Sequence, residues 1–306
     1  MISKEITVQE KCVTLILDND ALKAEILPLD GGRLISLTHK LSGREYIWTN
    51  PRTRGILRYH GANYDNLSAG GVEEAFPTGY QDCFNGDDLP FFGEIWPLIW
   101  QYSENSMQNG WVLDTYCSVY PVKVTKEWTL NESGLCCRYE LENLSDRPLP
   151  YLFGVHPCLN INPGDRLELP SGTWAIGSTF PDGLLSGEFE WPVSGMRDLS
   201  VLPDDNEGTD VSVGKAEYIH IYKSKADTGE FAIHTANKSL RVLYDSSYFT
   251  SLSIWMIYGG WRGHRCVMAE FFSGWPLKLS EAANQGNCAC LSPFGRVVTT
   301  VRYILE

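Results

Sequence analysis

The sequence predicts an all-β fold, a large sandwich of antiparallel sheets, from three observations. Apolar and polar residues alternate with a period of two along most of the 306 residues, which is typical of strands that bury one face. Segments with the period of a helix are nearly absent. The chain also contains 10 Trp, 15 Tyr and 12 Phe residues, which suit either the core of a large sandwich or a concave surface that stacks on sugar rings. On composition alone, the core is the favoured explanation.

The strand pattern is clearest in two predicted hairpins and four further strands. The first hairpin joins residues 13–17 and 22–26 through an Asp-Asn-Asp turn. The second joins residues 122–130 and 135–141 through an Asn-Glu-Ser-Gly turn. The further strands are predicted at residues 231–234, 240–243, 252–256 and 297–305.

One short helix is predicted near the C-terminus, with Ser280 as the N-cap, residues 281–285 as the helix and Gly286 in the position of a left-handed C-cap. The segment 194–214 is rich in Asp, Pro, Gly and Ser, and we expect it to form a long surface loop. Because the same strand pattern continues on both sides of this loop, we expect a single domain over residues 1–306.

The balance of charge disfavours several classes of partner. With 38 acidic and 25 basic residues the net charge is −13, which repels nucleic acids and anionic membrane surfaces and favours a neutral or small polar ligand. The first residues lack the apolar core of a signal peptide, and no segment approaches the roughly 20 apolar residues of a membrane span. We therefore expect a cytoplasmic protein.

The nine cysteines are expected to be reduced, because their number is odd and Cys-x-x-Cys spacing is missing. The spacing of Cys288 and Cys290 places both thiols on one face of a strand. No second ligand pair with zinc-finger spacing follows, so no metal site is predicted.

Two ionisable residues, His156 and Glu270, follow short apolar runs and form the candidate catalytic pair. Such a side chain is costly to bury unless it is hydrogen-bonded, paired or used in chemistry. A general acid and a general base that face each other across a sheet are what the opening of a sugar ring requires. We expect both to reach one cleft with room for a pyranose between them. Alternatively, His156 is structural and Glu270 forms a salt bridge with Arg265 or Arg33.

Several segments, taken in order, resemble the galactose mutarotase-like (aldose 1-epimerase) superfamily. Their order and spacing match over residues 20–300, more loosely between 165 and 250, although no single segment is specific. The segments are Gly31–Leu37, Ser42–Trp48, Gly70–Thr78, Gly93–Trp100, Gly154–Pro157 and Ile254–Glu270.

This resemblance implies a supersandwich of large antiparallel sheets and the interconversion of α and β anomers of a hexose or hexose derivative. It implies that Glu270 removes the proton of the C1 hydroxyl and that His156 protonates the ring oxygen. The usual pKa values, about 4.3 for Glu and 6.5 for His, suit these roles near neutral pH. A small carbohydrate is the implied ligand, with no metal or organic cofactor.

The chain departs from the family pattern at three places. The stretch Ser68–Gly71 lacks an arginine that relatives usually carry, Phe92 stands where they commonly place a histidine, and residues 215–218 lack the expected aspartate. These departures leave a second interpretation open, a non-catalytic carbohydrate-binding or regulatory protein on the same scaffold.

Substitutes for the missing sugar-binding residues are predicted among acidic, aromatic and basic side chains. An acidic group near the missing arginine, Glu74 or its neighbour Glu73, is expected to bind sugar hydroxyls. Trp255 and Trp261 flank the strand of Glu270 and suit stacking on a sugar ring. Arginines such as Arg265 suit an anionic sugar, or alternatively lie on a solvated loop. The predicted substrate-binding residues are Glu74, Asp82, Phe92, Trp255, Trp261 and Arg265.

Overall fold

The computed structural model describes residues 2–9, 12–53, 55–56, 58–105, 109–132, 134–177, 187–191, 218–225, 228–236, 238–259 and 261–306. The strands of the first half are β1 Ser3–Gln9, β2 Cys12–Asp18, β3 Leu22–Leu27, β4 Arg33–His39, β5 Arg44–Glu45, β6 Val72–Ala75, β7 Asp82–Phe84, β8 Asp87–Leu89, β9 Gln101–Asn105, β10 Gly110–Tyr116, β11 Val122–Asn131, β12 Gly134–Asn143 and β13 Leu149–Tyr151. Those of the second half are β14 Gly154–Leu159, β15 Arg166–Glu168, β16 Gly172–Ile176, β17 Glu188–Trp191, β18 Tyr218–Lys223, β19 Glu230–His234, β20 Leu240–Tyr244, β21 Ser251–Tyr258, β22 Arg265–Phe272, β23 Ala289–Leu291 and β24 Arg296–Leu305. The described residues also form two short helices, α1 Tyr64–Leu67 and α2 Leu279–Asn284.

Two large antiparallel sheets account for most of these strands, which confirms the predicted all-β class. The larger sheet has 12 strands in the order β1-β2-β3-β4-β6-β14-β22-β21-β18-β16-β17, with β5 paired to β4. The smaller sheet has eight, in the order β15-β19-β20-β24-β12-β11-β10-β9. Both predicted hairpins are present, as β2–β3 and β11–β12.

The core lies between the two sheets and follows from the alternation in the sequence. Along β11 every second residue is buried, as the period of two predicts. Contacts from one sheet to the other show which faces meet: the rings of Tyr244 on β20 and Phe271 on β22 stack with centroids 4.3 Å apart. The Trp111 indole on β10 donates a hydrogen bond of 3.0 Å to the Ile16 carbonyl on β2. The side chains at even positions of β22 therefore lie on the outer face of the larger sheet.

The two helices differ from the sequence-based expectation. Ser280 lies inside α2, whose N-cap position is Lys278, so the predicted N-cap was wrong. Gly286 does follow the helix with a left-handed φ of 68°. Helix α1 was not predicted; it begins after Asn63, whose side chain accepts a hydrogen bond from the Asn66 N–H and caps this single turn. A four-residue helix has too short a pattern to be read as periodic.

Two further expectations concern the loop and the membrane. The loop predicted at 194–214 lies outside the described residues. Within the part of the chain that the structure describes, neither helix has the length and apolar character needed to cross a bilayer.

Candidate functional site

The strand order of the larger sheet places His156 and Glu270 on neighbouring central strands. Strand β14, which carries His156, pairs with β6 on one side and β22 on the other. In the register of β14 and β22, Val155 pairs with Phe271, so Glu270 lies opposite His156. Directly opposite residues of an antiparallel pair project from the same face of the sheet. Since Phe271 faces the core, His156 and Glu270 both project from the outer face.

The two side chains are in direct contact on this face. His156 Nε2 lies 3.1 Å from Glu270 Oε1, and the side chains are 2% and 9% exposed, respectively. The competing partner Arg33 is bonded to Glu73 instead. The acid and the base therefore lie side by side, which corrects the expectation that a pyranose fits between them.

The other imidazole nitrogen of His156 faces Tyr64 on helix α1. The Tyr64 hydroxyl donates a hydrogen bond of 2.8 Å to Glu73 Oε2, and its oxygen lies 3.3 Å from His156 Nδ1. Because the tyrosine proton is directed at Glu73, the tyrosine oxygen is the acceptor for Nδ1–H. Glu73 is held in turn by the buried Arg33 guanidinium. Both ring nitrogens of His156 therefore face acceptors, an arrangement that suits the imidazolium form.

Electrostatics favour the same protonation state. Burial lowers the pKa of His156, whereas its contacts with Cys158 and Glu270 raise it, and the net pKa lies well above the usual value. Burial raises the pKa of the Cys158 thiol to about 11, so this thiol is neutral at neutral pH. The carboxylate of Glu270 is therefore the anion that holds the proton on His156.

A cavity of about 210 Å³ opens over the His156–Glu270 pair. It is smaller than the range of about 300–1,000 Å³ typical of drug-sized ligands, so it suits a small molecule. Five of the eight predicted site residues line it: His156, Glu270, Phe92, Trp255 and Trp261. The remaining lining residues are Tyr64, Asp65, Tyr80, Phe91, Ile257 and Met268.

Phe92 forms part of the cavity wall in an unusual backbone conformation. Its φ is 64°, a region that bulky residues seldom adopt, and its side chain is buried. Its ring packs edge-on against the His156 ring at 5.1 Å and stacks on Tyr64 at 4.5 Å. The phenyl ring therefore packs directly beside the acid, at the position where the family pattern has a histidine.

Trp255 is held in place by His220, a residue that the sequence analysis did not single out. The two rings are parallel, with centroids 3.6 Å apart and planes 6° apart, because the residues are paired across β18 and β21. His220 Nε2 lies 2.7 Å from the Ser253 hydroxyl. Burial lowers the pKa of His220 to about 4, despite the opposing effect of Glu270, so the ring is neutral at neutral pH.

Glu74 is placed away from the cavity, which corrects its prediction as a substrate-binding residue. As the neighbour of Glu73 on β6, it projects from the opposite face of the sheet into the core. There it forms an ion pair with the buried Lys126 of β11 and accepts a hydrogen bond of 2.9 Å from Tyr139. Its role is to join the two sheets.

Asp82 and Arg265 are also placed elsewhere. Asp82 accepts hydrogen bonds from the Ser280 N–H at 2.7 Å and the Ser280 hydroxyl at 2.9 Å, so it caps helix α2. Arg265 is exposed at the start of β22. It is five residues from Glu270, so its side chain leaves the strand on the opposite face. Neither residue lines the cavity.

The sequence analysis missed the residues that reach the cavity from loops and from α1. Tyr64 is separated from His156 by 92 positions, and Asp65, Tyr80 and Phe91 lie in segments without a strand pattern. No local signal marks these residues, because their position depends on how the loops fold over the sheet.

Within the described residues, no group of three or more His, Cys, Asp or Glu side chains is placed to hold a metal ion. The Lys215–Glu217 stretch, where an aspartate was expected, lies outside the described residues.

Comparisons with known proteins place this architecture among known folds. A family model described as a domain of unknown function (DUF5107) matches residues 3–85. No curated protein sequence is significantly similar to the chain.

Solved structures match nearly the whole chain. A galactose mutarotase-like protein from Lactobacillus casei has 18% identity and a TM-score of 0.68, with 96% of this chain and 100% of that chain covered. A second galactose mutarotase-like protein, from Clostridium acetobutylicum, has 15% identity and a TM-score of 0.70, with 100% and 98% covered. The Slr1438 protein from Synechocystis has 16% identity and a TM-score of 0.71, with 96% and 95% covered. The chain therefore has the galactose mutarotase-like fold.

Proposed function

We propose that this protein is a mutarotase, an isomerase of the aldose 1-epimerase type that interconverts the α and β anomers of an aldose. The observation that carries the proposal is the 3.1 Å contact between His156 Nε2 and Glu270 Oε1 at the base of a small cavity. The names of two proteins with the same fold, both galactose mutarotase-like, support it.

The chemistry of a hemiacetal suits an acid and a base that lie side by side. The hydroxyl oxygen and the ring oxygen of a cyclic aldose are both bonded to C1, so the two catalytic atoms must reach two oxygens that are close together. In the proposed complex, the hydrogen bond between His156 and Glu270 is replaced by one bond from each residue to the sugar. The 3.1 Å contact between the two groups supports this geometry, because it holds them close enough together to reach two oxygens on one carbon.

The reaction proceeds by two coupled proton transfers. The Glu270 carboxylate accepts the proton of the C1 hydroxyl while His156 Nε2–H donates its proton to the ring oxygen, and the bond between C1 and that oxygen breaks. The products are an open-chain aldehyde, a neutral His156 and a protonated Glu270. Rotation about the C1–C2 bond presents the other face of the aldehyde, and reversal of both transfers closes the ring as the opposite anomer.

Other side chains around the pair suit the same reaction. Tyr64 accepts from Nδ1–H and so orients the His156 ring with Nε2–H towards the cavity. Trp255 and Trp261 line the cavity and offer flat faces for the apolar C–H face of a sugar. The exposed Asp65 carboxylate lines the same cavity and can accept hydrogen bonds from sugar hydroxyls.

The test is to follow the mutarotation of freshly dissolved α-anomers, by polarimetry or NMR exchange, over a panel of neutral and phosphorylated monosaccharides. A single proton transfer by a positioned side chain contributes about 10²–10⁴ in rate, so Glu270→Gln and His156→Gln should each lower kcat by about that factor. His234→Gln, on β19 of the smaller sheet, is the matched histidine control and should leave the rate unchanged. Rates equal to buffer for every sugar would refute the proposal.

A non-catalytic carbohydrate-binding protein is the second candidate. It is favoured by the low exposure of the pair, 2% for the His156 side chain and 9% for that of Glu270, which resembles a structural ion pair. The Glu270→Gln variant separates the two functions. A binding protein would bind a sugar both with Glu270 and in the Glu270→Gln variant, and it would accelerate mutarotation in neither form.

A further inference from the structure

A second, larger cavity adjoins the one above the His156–Glu270 pair. Its volume is about 490 Å³, and it shares three lining residues with the first cavity: Tyr64, Asp65 and Phe91. The two cavities therefore adjoin at these three residues, and we refer to them together as the combined depression. A ligand that occupies the first cavity can therefore extend into the second.

The wall between the two cavities has the character of a sugar-stacking surface. Phe91 is a large apolar side chain that is 36% exposed, and its ring stacks on Tyr80 with centroids 5.5 Å apart. An exposed aromatic ring supported by another ring is a preorganised platform for the apolar face of a sugar. Because Tyr80 covers one face of this platform, its free face can stack on one sugar unit at the junction of the two cavities.

The second cavity is lined on its other sides by four residues without polar side chains and by four residues with them, His60, Asn63, Gln81 and Asp88. Their side chains offer both donors and acceptors at several points around the cavity, which matches the hydroxyl groups of a sugar. The lining residues that belong to the second cavity alone are His60, Gly61, Ala62, Asn63, Gln81, Asp88, Leu89 and Pro90.

The charge of the lining excludes anionic ligands. The carboxylates of Asp65, Asp88 and Glu270 line the combined depression, and the described residues around it include no Lys or Arg. The predicted anion-binding residue Arg265 is directed to the other face of the sheet, and the Arg262 guanidinium is bonded to Asn66 at 2.8 Å. A phosphate or sulfonate group would be repelled by these carboxylates, and it would find no guanidinium or ammonium partner, because the cation of this lining, the His156 imidazolium, is already paired with Glu270.

We propose that the substrate is the reducing end of a neutral disaccharide or longer oligosaccharide, with the reducing sugar over His156 and Glu270 and the next sugar in the second cavity. This proposal rests on the proposed mutarotase function, because that reaction requires a free C1 hydroxyl at the catalytic pair. The second sugar must therefore be attached through a carbon other than C1 of the reducing unit. The larger cavity takes this second sugar, and its position sets the preference for a disaccharide over a monosaccharide.

The experiment compares kcat/KM for maltose and cellobiose with that for glucose, and includes glucose 6-phosphate as the anionic probe. Exchange between the anomers of the reducing unit is followed by NMR. Gln81→Trp fills the second cavity and Asp88→Ala removes one of its acceptors. The matched control is Asp87→Ala, because adjacent residues of β8 project from opposite faces.

We expect at least one disaccharide to be converted with a higher kcat/KM than glucose, and glucose 6-phosphate to be the poorest substrate. In Gln81→Trp and Asp88→Ala, the ratio of disaccharide to glucose kcat/KM should fall by up to about tenfold, the size expected for one lost hydrogen bond. The control Asp87→Ala should leave the ratio of disaccharide to glucose kcat/KM unchanged. Conversion of glucose with an unchanged ratio in both variants, or a preference for glucose 6-phosphate, would overturn the proposal and leave the mutarotase function intact.

A binding measurement separates a failure of the second sugar site from a failure of the mutarotase function. In the Glu270→Gln background, tryptophan fluorescence of Trp255 and Trp261 reports binding of maltose, cellobiose or glucose without turnover. Tighter binding of a disaccharide that is lost in the double variant with Gln81→Trp would support the second sugar site even if the native chain converts no sugar. Equal binding of glucose and both disaccharides would overturn it.

Discussion

His220 lies flat against Trp255, so the tryptophan that lines the cavity is supported from beneath by a neutral imidazole. Gly177 makes room for this arrangement, since a Cβ atom there would lie 2.0 Å from His220 Nδ1. We expect His220→Gln to raise KM by up to about tenfold with a smaller change in kcat, because a ring pair contributes about 0.5–1.5 kcal/mol. His39→Gln, on β4 of the same sheet, is the control. A fall in kcat as large as the rise in KM, or no change in either constant, would show that His220 does not position Trp255.

The low pKa of His220 also predicts a dependence of stability on pH. Its pKa of about 4 in the folded protein is below the usual value of 6.5, so the unfolded chain binds this proton more readily. The resulting contribution to the free energy of unfolding is complete above about pH 6.5 and is lost as the pH falls towards 4. Urea unfolding of the native protein and of His220→Gln between pH 7 and 4 measures this difference. A difference between the two proteins that is constant over the range would contradict the prediction.

The Glu74–Lys126 pair predicts a large loss of stability when it is broken. Both side chains are fully buried between the sheets, and Lys126 also donates to the Gly31 and Gly32 carbonyls at 3.0 Å. We expect Lys126→Met to lower the free energy of unfolding by about 3–5 kcal/mol, because it leaves a buried carboxylate without its cation. The partly exposed pair of Arg138 and Glu127 is the control, and Arg138→Met should cost about 0–1 kcal/mol.

A double variant separates the charge from the packing. Glu74→Leu combined with Lys126→Met removes both charges, so it should recover much of the stability that the single change loses. Urea denaturation measures all three proteins. A double variant as unstable as Lys126→Met would indicate that packing, and not the unpaired charge, causes the loss.

The contact between Tyr64 and His156 predicts that a change of Tyr64 shifts the pH dependence of mutarotation. The reaction requires protonated His156, so kcat/KM should fall as the pH rises through the raised pKa of this residue. Tyr64→Phe removes the acceptor for Nδ1–H and should lower that pKa, which moves the alkaline limb of the profile to lower pH. Tyr80→Phe removes a hydroxyl from the same cavity and is the control. A lower rate with an unshifted alkaline limb would show that Tyr64 acts on structure alone.

We expect replacement of Asp82 to lower the stability of the protein moderately and to leave sugar binding unchanged. Asp82→Ala removes the acceptors of the Ser280 N–H and hydroxyl at the start of α2. The loss of a helix cap typically costs about 0.5–2 kcal/mol. Ser280→Ala keeps the N–H bond and should cost less. Thermal unfolding measures both, and a change of KM without a change of stability in Asp82→Ala would restore the role in substrate binding.

The sequence alone determined the strands, because the period of two is a local property of the chain. The alternation in residues 13–26 and 122–141 predicted two hairpins that the structure contains, and the resemblance predicted the fold. Apolar runs around His156 and Glu270 marked both as ionisable groups on strands, since burial of such groups demands a partner. That these two residues are partners follows from the pairing of β14 with β22, which no local pattern contains.

Only the tertiary structure decided which face of each strand meets the core and which loops cover the other face. Glu73 and Glu74 are adjacent and chemically identical, yet one holds Tyr64 beside His156 and the other pairs with Lys126 between the sheets. The period of two separates the two carboxylates onto opposite faces, but it does not say which face the second sheet covers. Tyr64 reaches His156 across 92 positions of sequence through a loop and one helical turn, and such long-range contacts exist only once the sheets have packed.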